Sequence, residues 1–160
     1  MQVTFWKLTE QRITYWEAVR PKGQRVPGSA MALGRGGLPH DLSQMVVEAV
    51  MGLDRAFWGS VASGATFRST GRKRTRPGRA VIHANKQTLD AAEQVAGEHV
   101  RWWERGEPGA SSDALNAMDR RWRALPDGHG LIVEWPSLRD LGMTDEAPAI
   151  GRRRTRARTY

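Results

Sequence analysis

Leu42, Met45, Val46, Ala49, Val50 and Leu53 recur every three or four residues through LPHDLSQMVVEAVMGL, residues 38–53. That period commits the segment to a helix with a wide apolar stripe, which has to be buried against other elements. The same spacing returns from Lys86 to Arg105, through Leu89, Ala92, Ala96, Val100 and Trp103. It returns again from Ser112 or Asp113 to about Ala124, through Leu115, Met118, Trp122 and, just beyond, Leu125. These last two helices are expected to pair antiparallel. A short helix capped by Asp54 and running through Val61 would bury Phe57 and Trp58.

Strand signals lie at the two ends. QVTFWKL (2–8) and RITYWEAV (12–19) are rich in β-branched and aromatic residues and are joined by the polar link Thr9 to Gln11, which suits a hairpin. LIVEW (131–135) is the most strand-like later run, and Pro136 stops it. The expected fold is α+β: an N-terminal antiparallel β-hairpin packed on about four helices, with a late strand and a disordered basic C-terminal tail. Residues 1–143 are expected to form one domain and 144–160 the tail, with mobile loops at 21–39 and 69–79. The first loop holds three prolines and five glycines. Its GRGG lacks the preceding strand and the longer glycine pattern of a dinucleotide fingerprint. In the second, TFRST and RAVIH flank GRKRTRPG, a pattern that fits either a basic-tipped hairpin or a disordered loop.

At 160 residues, the chain is long enough for one domain with its own core. Mean hydropathy is −0.58 and no apolar run approaches the roughly 20 residues that span a bilayer. MQVTFWKLTEQR has no basic segment leading into an apolar one, so a secretory signal is not expected and the cytoplasm is the expected location. The absence of cysteine removes disulfides, thiolate metal sites and cysteine nucleophiles, leaving four histidines for imidazole chemistry. These show no metal-ligand spacing: HDLSQ has Gln44 where an HExxH zinc site has its second histidine. No metal or cofactor is expected.

Charge is distributed unevenly. The net formal charge is +8, and the positive excess lies in two acid-free segments. One carries Arg68, Arg72, Lys73, Arg74, Arg76 and Arg79, and the other Arg152, Arg153, Arg154, Arg156 and Arg158. The remaining residues are slightly acidic. Basic appendages on an acidic body suit contact with the phosphates of DNA or RNA, or with an acidic protein partner. Arginine in place of lysine follows from codon composition, but clustering does not.

His40, Asp41 and Glu48 are the candidate acid/base residues. Asp41 with Gln44 three positions on has the form of a capping box, which would leave His40 outside the helix. Glu48 lies among valines, where burial would raise its pKa. His129 in the PDGHG turn and His99 beside the long helix's stripe are weaker candidates. Of the seven tryptophans, Trp6, Trp16 and Trp102 are candidate surface contacts.

Leu38, Pro39, His40, Asp41, Leu42, Val46, Val47, Glu48, Gly52 and Leu53 also carry a likeness. Over roughly the first 70 residues the chain resembles an uncharacterised bacterial family of hypothetical proteins, in which an LPHDLxHxVVE motif follows an N-terminal hairpin. That resemblance implies a shared architecture and no activity, and Gln44 departs from the family's histidine. Three functions follow as expectations. The leading one is a non-catalytic accessory or regulatory protein that contacts nucleic acid through its basic loop and tail. The alternatives are a small enzyme or degenerate metal-site protein with a pocket around His40, Asp41 and Glu48, and a protein-interaction module using exposed tryptophans.

Overall fold

The N-terminal hairpin becomes the centre of a sheet because both of its strands find further partners. In a computed structural model of the chain, which describes residues 1–28, 30–32, 37–67 and 75–146, β1 (Gln2–Leu8) pairs with β2 (Ile13–Val19) on one side and β5 (Gly130–Glu134) on the other. β3 (Arg25–Pro27) and β4 (Met31–Ala32) both pair with β2, and β6 (Asp140–Thr144) pairs with β5, all antiparallel. The order is β3-β2-β1-β5-β6. Alternation along the central strands puts Val3, Phe5, Trp16, Ala18, Leu131 and Val133 on the face that enters the core.

Five helices accompany this sheet: α1 (His40–Val50), α2 (Phe57–Ala62), α3 (Arg76–Ala84), α4 (Lys86–Glu104) and α5 (Ala110–Ala124). The protein is α+β. α1 packs on α4 and α5, which pack on each other, so the three periodic stripes meet in one cluster with the sheet face. On the outer face of the hairpin Trp6 packs on Tyr15, ring centroids 5.7 Å apart.

Three helix ends are held by long ionisable side chains from elsewhere. α2 has only six residues, too few to be stable alone, and its first N–H groups lack intrahelical acceptors. Glu48 of α1 supplies them: Oε1 accepts from Phe57 N at 3.2 Å and Oε2 from Trp58 N at 2.9 Å. At the other end, Arg20 donates from Nε to Val61 O at 2.7 Å and from Nη2 to Ala65 O at 3.0 Å, with Nη1 held by Gln24. An acid at the N-terminus and a base at the C-terminus both complement the helix dipole. Lys7 does the same for α5, donating to the carbonyls of Trp122 at 3.1 Å and Leu125 at 3.0 Å.

Between its two clamps α2 presents Phe57 and Trp58 to an aromatic cluster with Phe5, Trp16 and Phe67. Trp58 is fully buried, and burial of a side chain that size contributes roughly 3 kcal/mol. Gly59 is required where α2 crosses the preceding turn, since a Cβ there would lie 1.7 Å from Asp54 O.

Several local expectations are corrected. Pro39, not Asp41, is the N-cap of α1, so His40 is its first residue and the Asp41–Gln44 capping box does not form. Asp54 does not cap α2, because Glu48 holds that end. The 21–39 loop contributes β3 and β4 to the sheet, and Gly28 lies so close beneath the Trp16 ring that a Cβ would sit 2.4 Å from it. Within the 69–79 loop, residues 76–79 are helical, and RAVIH is α3 rather than a strand. Thr75 overrides the β-branched Val81 and Ile82 by accepting from Gly78 N at 3.1 Å, with Pro77 in the first turn. Thr144, placed at the start of the tail, closes β6. Trp6 and Trp16 are buried, 5% and 3% exposed.

Arg20→Met should remove the partners of two buried carbonyls and release the C-terminal end of α2. Urea unfolding is expected to show a loss of about 2–4 kcal/mol, and a change below about 0.5 kcal/mol would contradict the role given to Arg20.

Candidate functional site

α1 carries all three acid/base candidates, but it sends them to different places. Asp41 is bound from both sides of its backbone: Oδ2 accepts from Trp16 Nε1 at 2.8 Å and the main-chain carbonyl from Trp58 Nε1 at 3.0 Å. His40 lies at the surface with its side chain 73% exposed, and its Nδ1 is 3.1 Å from Asp41 Oδ1. Hydrogen bonding to Asp41 holds the imidazole above its usual pKa, and Glu93 adds to the effect. An aspartate orienting a histidine is part of a hydrolytic triad, but the hydroxyl of the neighbouring serine is turned back to the start of α1. Ser43 donates its hydroxyl to Pro39 O at 3.1 Å.

Glu48 is sealed. It has no exposed surface, and besides the two α2 amides it accepts from Gln44 Nε2 at 2.8 Å. Burial pushes its pKa up to about 7, opposed by these three hydrogen bonds. A carboxyl titrating near neutrality would suit acid/base work, but no substrate can reach it. The nearest concave surface is a groove of about 1100 Å³ between the start of α1, β4 and α4, lined by His40, Ser43, Gln44, Glu93, Val100 and Trp103 among others. Neither Asp41 nor Glu48 lines it. The pocket expected around His40, Asp41 and Glu48 is therefore not formed: His40 faces outward and Glu48 faces α2.

His99 and His129 do not line that groove either. The His99 ring packs tilted against Trp102, with centroids 4.6 Å apart, and His129 Nδ1 faces Asp127 O at 3.0 Å within the turn. Among the described residues no three His, Asp or Glu side chains are grouped closely enough to hold a metal ion, and no helix is long and apolar enough to cross a membrane. Trp102, 38% exposed, is the tryptophan that reaches the surface.

Of the expected phosphate-contacting cations, Arg76 and Arg79 are described, and both are exposed on the first two turns of α3. Neither makes an ion pair among the described residues. Arg68, Arg72, Lys73 and Arg74 lie outside the described residues, as do Arg152, Arg153, Arg154, Arg156 and Arg158 and most of the GRGG run. The flanks of 68–74 are described, however, and they are tied together. Thr75 N donates to Thr66 Oγ1 at 3.2 Å, and Gly78 packs so tightly on Thr66 that a Cβ would lie 2.2 Å from Oγ1. The segment thus leaves and rejoins the fold at one place, beside Arg76 and Arg79.

Because residues 76–84 are helical, His83 joins Arg79 on the exposed side of α3, and Lys86, the first residue of α4, lies beside them around a shallow cleft. Asn85 closes α3, its N–H donating to Val81 O, and opens α4, its carbonyl accepting from Leu89 N. Arg76, Arg79 and His83 share one side of α3 and are exposed, as is Lys86, while Gly78 is buried and Val81 and Ile82 are half-buried. His83 was hidden from sequence reasoning because RAVIH fitted either a hairpin strand or a disordered loop. The Thr75 cap followed by Pro77 was the signal that would have found it.

The raised pKa of Glu48 has a defined sign. Folding is favoured most below its ordinary value of 4.5, and this contribution is lost as pH rises through about 7. The difference in unfolding free energy between the wild type and Glu48→Gln should change by up to about 3 kcal/mol between pH 4.5 and 8, against the wild type at the higher pH. A difference independent of pH in urea titrations would show that Glu48 stays ionised throughout. No protein-family model, curated protein or solved structure matches the chain, so its function has to be argued from this geometry.

Proposed function

We propose that this is a non-catalytic accessory or regulatory protein of the cytoplasm that contacts nucleic acid through sequence-independent phosphate contacts. The observation that carries the reading is the run of positive charge in one acid-free stretch of the sequence, of which the described Arg76 and Arg79 are exposed and form no ion pair among the described residues. No Asp or Glu occurs between Asp54 and Asp90, an interval that holds Arg68, Arg72, Lys73, Arg74, Arg76, Arg79 and Lys86. Thr75 N donates to Thr66 Oγ1, so the described residues on either side of 68–74 meet near the exposed Arg76 and Arg79. Cations gathered in this way displace counterions from a phosphate backbone on binding, and the affinity that results is steeply dependent on salt.

The arginines of the tail, Arg152, Arg153, Arg154, Arg156 and Arg158, would add contacts of the same kind. The use to which Asp41 and Glu48 are put supports a role without catalysis, since both serve the packing of α2 and the tryptophans. On the LPHDL and VVE residues we also place the chain with the bacterial LPHDLxHxVVE proteins, whose shared property would be this architecture.

Labelled DNA and RNA titrated with the purified protein at rising salt should show affinity that falls linearly on a log–log scale. Charge reversal of Arg72, Lys73, Arg74 and Arg76 to glutamate is expected to abolish binding without lowering the thermal midpoint. Binding that survives this reversal would refute the proposal; an acidic protein captured in place of nucleic acid would redirect it.

A further inference from the structure

We infer that the groove between the start of α1, β4 and α4 binds a small zwitterion with an apolar body, the chemistry that a free aliphatic amino acid and a short apolar peptide share. Phosphate contact has no use for this groove, and the inference stands apart from the function proposed above. The groove, about 1100 Å³, is lined by buried polar side chains that lack partners. Gln44, 8% exposed, uses its amide nitrogen on Glu48 and has no donor for its carbonyl oxygen. Thr14, 7% exposed, makes no side-chain hydrogen bond among the described residues. Buried polar groups are nearly always satisfied, so unmatched ones call for an explanation. Among the described residues, the unpartnered side-chain atoms sealed from solvent belong to Trp6 and Asp119. Those of Gln44 and Thr14 are therefore not sealed, and they open onto the groove that both residues line.

The α4 wall divides its charge in a way that suits a zwitterion. Glu93 and Arg101 both line the groove, and neither forms an ion pair among the described residues. Glu93 stands on the α1 side, where its charge is felt by His40 and Glu48. Arg101 forms no ion pair with Glu104 three residues on; its Nη1 lies over Gly97 instead, 3.3 Å from where a Cβ would be. Gly97 follows Glu93 by one helical turn, about 6 Å of rise, so acid and guanidinium are close without touching. An ammonium held by Glu93 and the Gln44 oxygen, and a carboxylate held by Arg101, would both gain charge-assisted hydrogen bonds. A ligand with only one of these charges would meet an unmatched charge of its own sign. Between the two, Ala96 and Gly97 leave room for the ligand's body, and Leu38, Val100 and Trp103 supply half-buried apolar walls.

The test is isothermal titration calorimetry of the full chain with L-leucine, leucyl-leucine, leucinamide, which lacks the carboxylate, and isocaproate, which lacks the ammonium. At least one of the two zwitterions should bind about tenfold more tightly than either analogue, and comparing leucine with leucyl-leucine identifies whether the site takes an amino acid or a peptide. Arg101→Gln should weaken the zwitterion by a similar factor and leave leucinamide unchanged, whereas Glu93→Gln should weaken it and leave isocaproate unchanged. Both replaced side chains are exposed, so the thermal midpoint should be preserved. Analogues that bind as tightly as the zwitterions, variants with wild-type affinity, or no binding of any of the four compounds at millimolar concentration would overturn the inference. None of these outcomes bears on nucleic-acid contact, which the charge reversal of residues 72–76 tests separately.

Discussion

The six residues of α2 are gripped from both ends, and most of what is distinctive in the fold depends on that grip. Glu48 reaches it from α1 and Arg20 from the end of β2, so one short helix ties the sheet to the helical layer. The two charges do not touch each other. Helix-end dipoles and hydrogen bonds offset part of the cost of burying each group, and for Glu48 burial still prevails, holding its carboxyl up at about 7. Between them Phe57 and Trp58 are driven into Phe5 and Trp16, and the indoles of Trp16 and Trp58 both close on Asp41.

That arrangement decides the status of the His40, Asp41 and Glu48 set. Three ionisable residues within nine positions of a helix have the composition of an active site, but chemistry needs them to share a space. Here the helical turn separates them. Asp41 is turned toward the sheet, Glu48 toward α2, and His40 toward solvent beside a groove that the other two do not line. Gln44 donates to Glu48, where it completes the cap.

Periodic apolar segments were legible in the sequence because side-chain burial imposes its own repeat: α1, α4 and α5 emerge where the three- and four-residue spacing placed them, and the hairpin where alternating aromatic and β-branched residues did. Local capping was less so. Asp54 and Asp41 each look like caps, yet a distant glutamate and a proline took those positions, and the side chain that wins such a competition depends on tertiary proximity. β3 and β4 were obscured by the glycines and prolines around them, since short edge strands draw their order from β2 rather than from propensity. α3 was misread because Val81 and Ile82 favour strands locally, whereas Thr75, Pro77 and the contact of Gly78 with Thr66 select a helix. The clustering of basic residues was plain in the sequence; only the helix reveals that His83 joins Arg79 on its exposed side.

With Asp41 and Glu48 held in packing, and Arg76 and Arg79 exposed on α3, the proposed function rests on the surface rather than on a pocket. The measurement that tests this most directly is an amide NMR titration of the full chain with a short duplex at low salt. The account predicts resonance shifts concentrated over residues 66–86, with the amides of 38–48 and of α2 left in place. Shifts centred on His40, Gln44 and the groove beside them, with the 66–86 region silent, would contradict it.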